Sequence, residues 1–308
     1  MKILYIFGGQ GYRNNNLLAF FHDHQAGMGQ LNQFISTPNS LLSITDPKFT
    51  QIVIGSYQLT LFRMLTPLCT GQHIDLVGYS LGEVNAFLAS VNASAQDCIE
   101  VLTFRTQLMC SLLEQGYYLL SIVGPFALEE VQLICAQHHC AIAIINSNHH
   151  VLIGGKNHDL KALLNALQQQ FSLRAKFLEI HLPSHTPFYE SQKGRLQQFL
   201  DERSVSWQLQ YPIISPLELM KIYSVKEEST LLDRELFTTL QWQRVCELIS
   251  EYQYDLLIDL GPGDAMTTIL KAANPRLESV TIVTVSHYNS LEGLLAAVNS
   301  CMANSKKR

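Results

Sequence analysis

The sequence has no basic stretch except Lys306, Lys307 and Arg308 at its C-terminus, and the formal net charge over 308 residues is −5. That leaves no cationic footprint for a nucleic acid, and the tail reads as a solvated end. No CxxC pair occurs among the seven cysteines, whose number is odd and whose neighbours are mostly apolar. Neither a disulfide framework nor a metal site is indicated; reduced, buried thiols of a cytosolic protein are expected. No uninterrupted apolar run reaches the roughly 18 residues that a membrane span needs. The apolar opening MKILYIF is cut off by Gly8-Gly9-Gln10-Gly11 before a signal-peptide core is complete. A cytoplasmic location away from membranes is the expectation. Internal repeats and low-complexity linkers are also lacking; Asn14-Asn15-Asn16 and Gln168-Gln169-Gln170 are short polar patches.

What is present is a 47% hydrophobic, 15% charged chain, the balance of a globular protein, long enough for one large domain with an insertion. Buried-strand patterns at Lys2 to Phe7, Ile74 to Val77, Asp255 to Leu260 and Val280 to Val285 alternate with helical periodicity at 51–64, 81–90, 265–273 and 290–302. That alternation predicts an α/β fold with a largely parallel sheet. Between about Tyr117 and Leu182 the order changes to strand, helix, strand, strand, helix, strand: 118–123, 128–138, 141–145, 151–153, 159–171 and 176–180. That order is the ferredoxin-like unit. Residues 1–116 and 186–308 are therefore expected to form one discontinuous large domain and 117–185 an inserted small one, with a cleft where they meet.

Gly78-Tyr79-Ser80-Leu81-Gly82 fits G-x-S-x-G, after one expected strand and before one expected helix. A serine on such a sharp turn projects from the sheet, and the helix start behind it aims backbone N–H groups at a developing oxyanion. The pattern alone equally fits a serine capping an ordinary strand-to-helix turn. Arg105 is notable without any family in view. On the helix from about Asp97 to Leu113 it falls on the apolar stripe through Cys98, Val101, Leu102, Leu108, Met109 and Leu112. A guanidinium on a core-facing stripe needs an anion. A protein carboxylate, a snorkelling side chain, or a ligand carboxylate held bidentately would each answer. Glu83 reads as a first-turn acid favoured by the helix dipole, and neither it nor Asp259 is assigned a proton-transfer role.

Six ordered motifs together resemble the malonyl-CoA:acyl carrier protein transacylase family, which includes the acyltransferases of fatty acid and polyketide synthases. Phe7-Gly8-Gly9-Gln10-Gly11 is similar to its FPGQG, Gly78 to Glu83 to its GHSLGE, and Arg105 with Leu108-Met109 to its arginine followed by LM. Asn146-Ser147 with Val151 and Gly154 resembles NSPxQVxxxG, Pro183-Ser184-His185 resembles PSH, and Asp259 to Gly263 resembles ExGPG. The resemblance implies a hydrolase-like body with a ferredoxin-like insert. It implies Ser80 as nucleophile and His185 as base, held by backbone carbonyls near Glu235-Leu236-Phe237-Thr238. The backbone N–H groups of Gln10 and Leu81 become the oxyanion hole and Arg105 the clamp for a dicarboxylic acyl group. The implied activity is transfer of malonyl from coenzyme A, as substrate and not as bound cofactor, to an acyl carrier protein's phosphopantetheine thiol, in fatty acid or polyketide synthesis. Hydrolysis of acyl carriers, or non-catalytic docking of a carrier, are the alternatives. The chain departs from the pattern at Tyr79 (histidine in the family), Gly9 (proline), Tyr12-Arg13 (serine-glutamine), His150 (glutamine) and Thr239-Leu240 (proline-valine). Tyr79 bears on which acyl group fits.

Overall fold

The structure is a computed structural model describing residues 1–12, 14, 16–35, 43–274, 277 and 279–305. The basic C-terminal triplet, Arg13 and Asn15 lie outside the described residues. Along the chain β1 (Lys2–Phe7) leads through α1 (Gln25–Phe34) and α2 (Pro47–Leu65) to β2 (His73–Gly78), α3 (Leu81–Ser90) and α4 (Ala95–Cys110). There follow β3 (Tyr117–Val123), α5 (Leu128–Gln137), β4 (Ala141–Ser147), β5 (His150–Lys156), α6 (Asn157–Gln170) and β6 (Arg174–Phe177). Then come α7 (Arg195–Arg203), β7 (Ile213–Ile214), β8 (Lys221–Ile222), α8 (Val225–Glu235) and α9 (Trp242–Glu251). The chain closes with β9 (Leu256–Asp259), α10 (Ala265–Ala273), β10 (Thr281–Thr284) and α11 (Leu291–Ser305).

Among the described residues the first sheet is ordered β10-β9-β1-β2-β7-β8 and is parallel except for the β7–β8 pair. β1 lies inside it, and Ile3 to Phe7 are wholly buried. A parallel strand covered by helices on both faces needs that continuous apolar run. The second sheet, β4-β5-β3-β6, is antiparallel and shares a core with α5 and α6, the ferredoxin-like arrangement expected from the sequence. The second sheet is tied to the segment between α8 and α9 where Leu240 N–H donates to Ala143 (3.0 Å) and Ile145 N–H to Leu240 (2.9 Å).

One strand is displaced from its expected place. The pattern at 176–180 reads as strand, yet β6 is Arg174–Phe177, pairing Val123 with Arg174 and Leu120 with Phe177. Leu178 and Ile180 are apolar because they wall a cavity, not because they extend the sheet.

α2 starts at Asp46, whose carboxylate accepts from Lys48 N–H (2.9 Å), with Pro47 in the first helical position. By length and composition Pro47–Cys69 could cross a membrane, with mean hydropathy 1.2, but 67% of that window is buried in the protein. α2 packs on α1, α3 and α4 as a core helix. Its face also carries polar residues: Gln51 and Gln58 are both fully buried.

Residues 187–254 form no legible pattern in the sequence, and α7, β7, β8, α8 and α9 lie there. α8 buries Glu228, Ser229, Asp233 and Glu235, which breaks the apolar stripe that betrays most surface helices. Asp233 has a structural use: its carboxylate accepts from Gly194 N–H (2.7 Å) and Leu196 N–H (3.0 Å), capping α7.

Candidate active site

Ser80 stands between β2 and α3 with φ 57° and ψ −115°. A non-glycine residue in that region costs on the order of 1–3 kcal/mol, and persists only where its surroundings dictate it. Here the packing of β2, α3 and β1 does so. A Cβ on Gly78 would lie 2.0 Å from Glu83 N, and one on Gly82 would lie 1.9 Å from the Phe7 carbonyl oxygen. Only glycine permits helix and strand to approach so closely.

His185 faces Ser80 from the segment after β6. Its φ is 62°, and its backbone N–H donates to Leu236 (2.9 Å). Nδ1 lies 2.7 Å from the Glu235 carbonyl oxygen and Nε2 lies 2.7 Å from Ser80 Oγ. A carbonyl only accepts, so Nδ1 carries the proton and Nε2 is left to accept the Ser80 hydroxyl. Burial, then the charge of Arg105, lowers the His185 pKa to about 3, although the bond to the Glu235 carbonyl acts the other way. The ring is therefore neutral at ordinary pH. The Glu235 carboxyl, 3.9 Å from Nδ1, forms no ion pair with an uncharged imidazole. A serine hydroxyl bonded to a bare imidazole nitrogen can give up its proton as it attacks an electrophile.

Ser80 lies on a cavity of about 420 Å³, between loops at the carboxyl ends of β1, β2 and β9 and the second sheet. Ligands of α/β proteins bind at that edge. The cavity is walled by Leu119, Ile144, Leu152, Leu178, Ile180 and Ile269. A larger depression of about 510 Å³, at the amino end of β2 beside Arg63 and Gln72, holds neither Ser80 nor His185. Chemistry rather than size selects the smaller one.

Gln10 lines this cavity and is nearly buried. Its loop is fixed by Gly8 N–H donating to Gly261 (3.1 Å) and by Gln58 Nε2 donating to the Gly8 carbonyl (2.9 Å). Asn85 Nδ2 in turn donates to Gln58 Oε1 (2.7 Å). Leu81 is the first residue of α3, so its N–H has no acceptor within the helix.

Arg105 is fully buried and is not among the described residues lining the cavity. Nη1 donates to Gln51 Oε1 (2.8 Å) and approaches Met109 Sδ (3.0 Å), whereas Nε and Nη2 have no hydrogen-bond partner among the described residues. No ion pair to Arg105 occurs among the described residues, and the side chain does not snorkel. Its charge nevertheless acts on His185, Glu83 and Glu235. Glu83 is more than a first-turn acid: it is wholly buried, its carboxyl oxygens have no hydrogen-bond partner among the described residues, and burial with repulsion from Glu235 and Glu228 raises its pKa well above the usual range. Asp259 accepts from Gly261 N–H (2.9 Å) and from Thr267 N–H (3.0 Å), holding a turn.

Two contributors, Gln51 and Gln58, escape sequence reasoning. Gln51 and Gln58 brace Arg105 and the Gly8 loop; the only signal is two amides seven apart on a largely apolar helix, hence on one face. Tyr79, edge-on to Trp242 at 5.0 Å, donates to Asn146 Oδ1 (3.0 Å). His150 hydrogen-bonds Ser121 Oγ (3.1 Å) on the same wall.

Fold and site together define an α/β protein with a serine on a strand-to-helix elbow, a neutral histidine bonded to it, and a ferredoxin-like layer closing the cleft. The family model described as "Acyl transferase domain" matches residues 23–283, and the chain belongs to that family. It is 19% identical over 309 residues to a malonyl CoA-acyl carrier protein transacylase of Buchnera aphidicola, covering 95% of this chain and 96% of the relative. The malonyl CoA-acyl carrier protein transacylase structure from Coxiella burnetii superposes with TM-score 0.83 at 20% identity, over 97% of each chain. A malonyl-transacylase solved with its type II PKS acyl-carrier protein gives TM-score 0.84 at 18% identity, over 97% of this chain and all (100%) of that one. At such identities the two structures establish the fold.

Proposed function

We propose that this chain is a malonyl-CoA:acyl carrier protein acyltransferase working by a ping-pong route through an ester on Ser80. The observation that carries the reading is the 2.7 Å bond from Ser80 Oγ, which lines the cavity, to a neutral, buried His185. Membership of the acyl transferase family supports it, as do the printed activities of the bacterial relatives.

In the first half-reaction Ser80 Oγ attacks the thioester carbonyl carbon and its proton passes to His185 Nε2. The Gln10 and Leu81 N–H groups receive the oxyanion, where one such donor is worth about 3 kcal/mol. The carbon–sulfur bond then breaks, and coenzyme A leaves with the proton from His185. In the second half-reaction the carrier's thiol gives its proton to His185 and attacks the ester carbonyl; Ser80 departs and is reprotonated. The Glu235 carbonyl takes the place of a triad carboxylate by fixing the imidazole tautomer. Arg105, with two unpartnered N–H-bearing atoms, is the group we assign to the malonyl carboxylate.

We take residues 1–116 and 186–308 as one discontinuous domain and 117–185 as the insert that closes the cleft. The seven free cysteines fit a cytoplasmic setting. The test is to mix the protein with malonyl-CoA and a phosphopantetheinylated carrier protein and follow both products. Malonyl-carrier should appear in step with free coenzyme A, and Ser80→Ala should lower the rate by at least about 10³-fold. Release of free malonate without carrier acylation would favour hydrolysis, and an active Ser80→Ala would refute the route.

A further inference from the structure

Four ionisable side chains from three helices, Glu83 (α3), Arg105 (α4), Glu228 and Glu235 (both α8), are wholly buried. His185 and Tyr189 approach from the segment after β6; Tyr189 Oη donates to the Met109 carbonyl (2.7 Å). Both carboxyl oxygens of each glutamate, and Nε and Nη2 of Arg105, have no hydrogen-bond partner among the described residues. Three acids around one cation would leave a net charge of −2 if all ionised, and a further anion could not enter. With the acids neutral, the guanidinium keeps its full charge for a ligand carboxylate. Burial, then repulsion from Glu235 and Glu227, holds Glu228 at about 8, and burial holds Glu235 at about 8 against the pull of Arg105. At neutral pH the cluster thus keeps its protons.

We propose that Glu235 determines acyl-group selectivity: its carboxyl competes with the free carboxylate of a dicarboxylic acyl group for Arg105, so that group enters only while Glu235 is protonated. The proposal rests on the acyl-serine reading above. Glu235 is singled out because Arg105 is its largest charge partner, its carboxyl lies 3.9 Å from His185, and its carbonyl already holds the imidazole. Glu228 is not among the charges that act on Arg105 directly; it repels Glu235 and Glu83, which do. An acyl group ending in a methyl makes no claim on Arg105 and is indifferent to this proton. Above the titration of Glu235, binding a dicarboxylic acyl group takes up one proton from solvent.

The experiment is rapid-quench loading of the whole protein with malonyl-CoA and with acetyl-CoA from pH 6.5 to 9.5, read as mass adducts in wild type and Glu235→Gln. Donor ionisations common to both thioesters cancel in the malonyl-to-acetyl ratio. The wild-type ratio should be level below pH 8 and fall about tenfold per pH unit above it, as one titrating group requires. Glu235→Gln should hold the low-pH ratio throughout. A level wild-type ratio overturns the proposal, whether or not the variant folds, and so does a Gln variant that keeps the fall. Absence of any adduct at any pH would sink the acyl-serine reading, and this proposal with it.

Discussion

Three bonds meet at His185: its backbone N–H to Leu236, Nδ1–H to the Glu235 carbonyl, and the Ser80 hydroxyl to Nε2. Buried beside Arg105, the ring resists a second proton, which has a kinetic consequence. The acid limb of kcat/KM for coenzyme A release should fall below pH 5, far under the value near 6.5 of an ordinary histidine. A limb centred near 6.5 would show that His185 is not held neutral in the free enzyme. At this scale the sequence is informative where chemistry constrains residue type. Glycines flanking Ser80 announce the elbow, and an arginine on the apolar stripe of α4 announces a buried cation. Glu228 and Glu235 give no such signal, because a glutamate on α8 looks solvent-facing until tertiary packing buries it.

Among elements, the β2–α3 junction carries the most demanding packing. The Cβ of Gly82→Ala would meet backbone of β1 rather than a side chain able to move. We expect a loss of about 3 kcal/mol or more and a fall in Tm of several degrees. Gly29, in α1, is a fair control, since a Cβ there meets nothing within 4 Å. Gly29→Ala should leave stability unchanged or raise it by about 0.5–1 kcal/mol. Thermal unfolding of the pair checks both; equal Tm values would contradict the account of the elbow. Elements with strong periodicity, such as α3 and α10, are legible to the residue. β7 and β8, two residues each, have no period to detect and exist only through their partners. β6 is misplaced for a different reason: apolar residues that line a cavity look the same in sequence as those that pair in a sheet.

For the whole molecule, the arrangement of two sheets around one cavity gives the site both its parts. The parallel sheet supplies the Gly8 loop, Ser80 and the turn after β9, and the insert supplies the opposing wall. The ferredoxin-like order could be read from periodicity, but its docking over Ser80 depends on contacts such as Leu240 with Ala143 and Ile145, which lie almost 100 residues apart in sequence and leave no local pattern. The central claim is that an acyl group rests covalently on Ser80 with its carboxylate at Arg105. Intact-protein mass after brief mixing with malonyl-CoA, compared among wild type, Ser80→Ala and Arg105→Ala, tests it most directly. The account predicts a malonyl adduct on wild type, none on Ser80→Ala, and a loading rate at least about 10²-fold lower on Arg105→Ala. A malonyl adduct on Ser80→Ala, or wild-type loading in Arg105→Ala, would contradict it.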